Sequence, residues 1–130
     1  MNTRKPHILI IDDEPLLLKA LDGILTDEGY KVFIAKSGPM GLEILSRETV
    51  DVTLIDMWMP EMDGLETLEI IRKEHPDTST VLMSVHWNKQ IALKAFQLGA
   101  ASFIQKPITL DNLLETIEDI IIKRKERKIY

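Results

Sequence analysis

The sequence predicts an α/β domain built on a doubly wound, five-stranded parallel sheet, and three observations carry that prediction. Short apolar runs alternate five times with stretches whose apolar residues recur at helical spacing. The connections are short, with no internal repeat, low-complexity segment or long linker. The unusual polar residues follow the apolar runs, so a parallel arrangement gathers them at one edge of the sheet.

His7-Ile8-Leu9-Ile10-Ile11 is a continuous apolar run, as expected of a strand covered on both faces, and Asp12-Asp13-Glu14-Pro15 ends it. Leu17, Leu18, Leu21, Ile24 and Leu25 then recur at helical spacing until Gly29, which suits the position just past a helix end. Val32 to Ala35 is a second strand. Ser37-Gly38-Pro39 opens a second helix, with Leu42 and Leu45 facing inward. The third strand, Val52 to Asp56, has only Thr53 polar before its terminal carboxylate. Met57 to Pro60 breaks the regular structure, and Asp63-Gly64 reads as a turn. Leu65, Leu68, Ile70 and Ile71 mark a third helix closed by Pro76. Thr80 to Val85 is the fourth strand, and Ile91, Ala92, Ala95, Phe96 and Leu98 form the fourth helix before Gly99. Ala101 to Gln105 is the fifth strand, ended by Lys106-Pro107. The last helix begins near Leu110, with Leu110, Leu113, Leu114, Ile117, Ile120 and Ile121 on one face.

Bulk composition narrows the function. A chain of 130 residues with 45% hydrophobic and 28% charged content makes one domain of ordinary size with a proper core. The absence of cysteine excludes disulfides and thiolate metal sites and suits a reducing compartment. No apolar run approaches the ~20 residues that span a bilayer, so a cytoplasmic location is expected. The net charge of −5 hides an asymmetry: Lys123 to Lys128 holds five basic residues and one acidic, leaving 11 basic and 20 acidic before it. An acidic body of net −9 does not suit a nucleic-acid surface, which needs clustered Lys and Arg. The basic run instead suits a solvated helix end, where cations complement the helix dipole.

The strand ends hold the chemistry. Asp12 and Asp13 follow strand one, Asp56 ends strand three, Ser84 nearly ends strand four and Lys106 follows strand five. Three converging carboxylates repel unless a cation or protons intervene, and carboxylate oxygens suit Mg²⁺, commonly held by one or two carboxylates plus a phosphate. Lys106 adds a positive charge able to contact a phosphoryl oxygen, and the Ser84 hydroxyl can donate to another. Nucleophilic carboxylate, divalent ion, lysine and hydroxyl donor together make a phosphoryl-transfer site. Taken singly these residues are less telling: Asp13 could cap the helix that opens at Pro15, and Ser84 could be an ordinary strand hydroxyl.

In combination, Asp12-Asp13, Asp56-x-x-x-Pro60 with Asp63-Gly64, Ser84 and Phe103-x-x-Lys106-Pro107 resemble the receiver domain of two-component response regulators, over residues 7–122. The resemblance implies a flavodoxin-like (βα)5 fold with strand order 2-1-3-4-5. It implies Asp56 as phosphoacceptor, with Asp13, Asp56 and the backbone carbonyl of Trp58 binding Mg²⁺ directly and Asp12 acting largely through water. Ser84 and Lys106 would hold the phosphoryl group, and Phe103 matches an aromatic switch. The expected function is that of a phosphoacceptor rather than a turnover enzyme, catalysing its own phosphorylation and dephosphorylation. Its expected partners are a sensor histidine kinase, a C-terminal output domain (ATPase, DNA-binding or both) and a second copy meeting it through the fourth helix, fifth strand and fifth helix. Direct nucleic-acid or membrane binding by the receiver is not expected. Three positions depart from the family pattern: Val85 where a small residue is usual, Trp58 two residues after the acceptor, and His86 two after Ser84. They bear on rates rather than on the chemistry.

Rival readings fit less well. A haloacid-dehalogenase-like phosphatase places its nucleophile after the first strand with a second Asp two residues on, and a flavodoxin needs a Ser/Thr/Gly-rich phosphate loop where Asp12-Asp13-Glu14 would repel the phosphate. The alternative that stands is a receiver-like interaction module that signals without phosphorylation. Residues 1–122 form the expected receiver domain, and 123–130 a charged helical extension or the start of a linker. That extension resembles the one joining receivers to the ATPase and DNA-binding parts of enhancer-binding (NtrC-like) transcriptional activators. Ile122 and Ile129, seven residues apart, lie off the inner face of the last helix and suggest a short self-association seam.

Overall fold

In the computed structural model, which describes residues 5–129, strand and helix alternate five times. The elements are β1 (His7–Ile11), α1 (Pro15–Asp27), β2 (Lys31–Ala35), α2 (Gly38–Arg47), β3 (Val52–Asp56), α3 (Gly64–Glu74), β4 (Ser79–Ser84), α4 (Lys89–Gln97), β5 (Ser102–Gln105) and α5 (Leu110–Ile129). All strand pairings are parallel, in the order β2-β1-β3-β4-β5. Both the alternation and the strand order are those expected.

Alternating strand residues divide the core in two. Ile8, Ile10, Leu54, Val81, Met83 and Ile104 face Leu18, Leu21 and Leu25 of α1 and Leu113, Ile117 and Ile120 of α5. Leu9, Ile11, Ile55 and Leu82 face α2, α3 and α4 through Ile44, Leu45, Leu68, Ile71 and Ala95. Because both faces are covered, β3 and β4 are buried along their whole length. The buried Thr53 hydroxyl is satisfied by the Thr78 hydroxyl at 2.9 Å. The chain leaves β1 for β2 and then returns past β1 to β3. This reversal opens a crevice at the carboxyl ends of β1 and β3.

The helix ends follow from local chemistry. Gly29, at φ 97°, ends α1: its N–H donates to the Thr26 carbonyl and the Tyr30 N–H to the Leu25 carbonyl. Ser37 and Asp63 cap α2 and α3 by accepting from the Met40 and Glu66 amides. Asp13 does not cap α1; Glu14 occupies the cap position, and its N–H donates to Asp12 Oδ1 at 3.0 Å. Phe96, among the residues expected to form the fourth helix, and Leu110, expected on the apolar face of the last, point outward at 51% and 49% exposure. The inward stripe of α4 is narrow, with only Ala95 fully buried, and Phe96 is one ~100° helical step beyond it. Leu110 starts α5 a turn before its first core contact, Leu113. The helix then runs unbroken from Leu110 to Ile129, across the expected boundary at 122. Ile122 is exposed, whereas the side chain of Ile129, residues 1–4 and Tyr130 lie outside the described residues.

Gly64 closes the loop that follows β3. Its N–H donates to the Met57 carbonyl at 2.8 Å, and a Cβ there would overlap the Asp56 carbonyl oxygen and sit 2.6 Å from Met57 Cα. Backbone occupies that space, so nothing flexible can yield. Gly64→Ala should therefore cost about 2–3 kcal/mol of stability, in the range of overpacked cores. Urea unfolding checks this, and an unchanged midpoint would contradict it.

Candidate functional site

The crevice gathers the residues that sequence reading placed there. Asp12, directly after β1, is fully buried; Asp56, the last residue of β3, is 5% exposed, and Asp13 reaches solvent. Each offers a carboxylate oxygen, and these atoms lie within 4.8 Å of one another. Lys106, directly after β5, sends its ammonium into the group, with Nζ 2.7 Å from Asp12 Oδ2 and 3.1 Å from Asp56 Oδ1.

Backbone bonds fix these positions. The Asp12 N–H donates to the Ala35 carbonyl of β2 at 3.0 Å. The Met57 N–H donates to Met83 at 2.8 Å, carrying the β3–β4 ladder one residue past Asp56. The Lys106 N–H donates to the Ser84 carbonyl at 2.8 Å, tying the lysine to the end of β4. Beyond Met57 the loop is strained, with Glu61 at φ 68°, a region that a non-glycine residue adopts at a cost.

Electrostatics follow from this geometry. Burial raises the Asp56 carboxyl from 3.8 to about 6; the Asp12 charge adds to the rise, Lys106 opposes it, and Asp13 raises it further. For Lys106, burial favours loss of the proton, but the hydrogen bonds and charges of Asp12 and Asp56 outweigh it and hold the ammonium above its usual range. Three ionised carboxylates and one ammonium leave the cluster two negative charges from neutrality. That deficit and the all-oxygen donor set fit a hard divalent cation.

The other expected site residues stand close by in sequence but are engaged differently. Ser84 is buried at the end of β4 with its hydroxyl turned into its own loop, donating to the His86 carbonyl at 3.2 Å and accepting from the His86 N–H at 3.1 Å. Phe103 is half-buried on β5 and packs with the core on the α2–α3–α4 face. Trp58 follows Met57 on the loop leaving β3, and its side chain is 53% exposed; Val85, just past β4, is 54% exposed. Sequence reading missed the direct Lys106–Asp12 contact, having assigned the lysine to the phosphoryl group alone. The available signal was the buried Asp12, which needs a cationic partner.

Residues 8–118 match the family model of the response regulator receiver domain. The chain belongs to that family. Curated relatives agree: it is 40% identical over 121 residues to the transcriptional regulatory protein GlrR of Escherichia coli, covering 93% of this chain and 27% of that one. It is 35% identical over 128 residues to the nitrogen assimilation regulatory protein NtrX of Azorhizobium caulinodans, covering 94% and 28%. This receiver domain thus spans about a quarter of the length of those relatives. Among solved structures it resembles a CheY-like receiver domain protein from Methanospirillum hungatei at 31% identity, with a TM-score of 0.88 and coverage of 95% and 99%. Among its described residues no helix is long and apolar enough to cross a membrane.

The raised Asp56 value makes this receiver domain store electrostatic strain. Between about pH 4 and 6 the unfolded chain has released a proton that the folded chain keeps, so a rise in pH favours unfolding. The penalty is complete above pH 6. Without divalent ions, Asp56→Asn should therefore raise unfolding stability at pH 7.5 by on the order of 2 kcal/mol, and the gain should vanish near pH 4. Urea unfolding in EDTA checks this; equal or lower stability of the variant at pH 7.5 would contradict it.

Proposed function

We propose that Asp56 accepts a phosphoryl group from a sensor histidine kinase and that the modification switches the α4–β5–α5 face of this receiver to control an output, with transcription favoured by its relatives. The observation that carries this reading is Lys106 spanning Asp12 and Asp56 inside a buried acidic cluster at the strand-order reversal. An Asp56 oxygen attacks phosphorus in line, the bond between phosphorus and the donor breaks, and the donor leaves with its electron pair. Lys106 stands where it can turn from the carboxylates to a phosphoryl oxygen. Ser84 supplies a further donor once its hydroxyl leaves His86. Asp13, Asp56 and the Trp58 carbonyl would hold Mg²⁺, with Asp12 acting mainly through water. That ion would offset charge on the carboxylates and the phosphoryl oxygens. The chain catalyses its own phosphorylation and dephosphorylation in this reading and is not a turnover enzyme.

Several features support the rest of the signalling scheme. The exposed Leu93 and Phe96 of α4 lie on the face where we place pairing with a second copy. The length of the relatives supports a C-terminal output part, ATPase, DNA-binding or both. The cysteine-free sequence and the proposed kinase partnership support a cytoplasmic location. Phe103 shares its core with α4, so it is the residue through which a move of Ser84 reaches that face.

Incubation with a small acyl-phosphate donor and Mg²⁺ should add one phosphoryl group to the wild type and none to Asp56→Asn, as read by intact mass. Full labelling of the variant at another residue would contradict the assignment. No labelling of either protein would favour an interaction module that signals without phosphorylation. Calorimetric Mg²⁺ affinity should fall further for Asp13→Ala than for Asp12→Ala; equal affinity in wild type and Asp13→Ala would reject Asp13 as a direct ligand. Trp58 and Val85 follow the ends of adjacent strands, and their bulk should slow the approach of water to an acyl phosphate. Trp58→Asn should thus shorten the phosphoryl lifetime, and an unchanged or longer lifetime would count against this blocking.

A further inference from the structure

A second, partly buried charge cluster lies at the amino edge of the sheet, opposite the phosphoryl site, and the reaction does not use it. Its centre is Arg124 of α5. Nη1 donates to the Asp77 carbonyl at 2.7 Å and to Ser79 Oγ at 3.0 Å, while Nη2 stands 3.6 Å from Asp51 Oδ1. The other Asp51 oxygen accepts the His7 N–H at 2.7 Å. One guanidinium therefore joins α5 to the residues preceding β3 and β4 and, through Asp51, to the start of β1.

The position of Arg124 on the helix gives this contact a role. The apolar seam of α5 ends at Ile121. Of residues 122–127 only Arg124 is not exposed, its side chain retaining 19% exposure. Lys123, Lys125 and Arg127 are exposed like charges that repel one another, and the Lys123–Asp119 pair is 63% exposed on both sides, too solvated to hold the helix. The apolar seam thus fixes the helix up to Ile121, and beyond it Arg124 bonds to the amino edge of the sheet.

We propose that Arg124 is a positioning residue: its forked contact with Asp51, Asp77 and Ser79 latches the last turns of α5 to the amino edge of the sheet and sets the direction in which this helix leaves the domain. The planar guanidinium suits this, because it reaches a carbonyl, a hydroxyl and a carboxylate from one rigid group, which an ammonium cannot do. The latch also grips Ser79, the first residue of β4, whose last residue is Ser84.

The cysteine-free chain allows a direct test with two spin labels, on Glu43→Cys of α2 and Glu126→Cys of α5, both exposed positions. Pulsed electron–electron dipolar measurements should give a narrow distance distribution in the otherwise unaltered chain. Arg124→Gln should broaden it about twofold, as expected of a helix end whose local anchoring is lost, while the thermal midpoint moves little. Arg124→Lys should remain broad, because charge alone does not rebuild the fork. A distribution as narrow in Arg124→Gln as in the parent overturns the proposal, and so does full recovery with Lys. Should Arg124→Gln fail to fold, Arg124→Lys decides alone, since it keeps the positive charge and loses the fork. Broadening in that variant supports the latch, and an unchanged width overturns it.

Discussion

The structure depends on the ion pairs that Lys106 makes with Asp12 and Asp56. Two carboxylates withdrawn from water at the edge of a sheet would repel each other and lose their hydration, and one ammonium at 2.7 and 3.1 Å offsets both penalties. The compensation is incomplete. Asp56 still sits at about 6, and the cluster still carries excess negative charge. A site left in that condition favours whatever brings positive charge. Stability and affinity for a cation are thus two readings of the same electrostatic imbalance.

Much of the scaffold serves to create that imbalance. Strand alternation buries β3 and β4 on both faces, so a carboxylate at the end of β3 arrives partly desolvated. The return of the chain past β1 brings Asp12 and Asp13 beside it. Gly64 folds the following loop back against the backbone of Asp56 and Met57. The amide of Lys106 is tied to Ser84, so the lysine and the expected hydroxyl switch are mechanically linked before any ligand arrives.

The five strands and five helices were legible because each apolar run is bounded by a residue with a defined local role, such as Gly29 past α1, Ser37 capping α2 and Pro76 beyond α3. The strand order came from family resemblance, since alternation alone does not say which strand lies beside which. The members of the acidic cluster were legible from their positions at strand ends. Their pairing was not, because which cation meets which carboxylate is decided by side-chain reach across 94 residues of sequence. The outward turn of Leu110 was missed because helical periodicity marks an apolar face without showing how wide a stripe the neighbours cover, and Phe96 was left without a face for the same reason. Arg124 was hidden for a similar reason. Within a run of lysines and arginines, nothing local distinguishes the one whose partners lie 45 and 47 residues away.

In the proposed mechanism Lys106 and Asp56 form one phosphoryl site, and Ser84 joins when it is filled. A crystal structure grown with Mg²⁺ and a beryllofluoride phosphoryl mimic tests this most directly. The expected result is an adduct on an Asp56 oxygen, Lys106 Nζ within hydrogen-bond distance of a fluoride, and the Ser84 hydroxyl released from His86 toward the adduct. An adduct on another residue, or Lys106 and Ser84 still holding their present partners beside a modified Asp56, would contradict it.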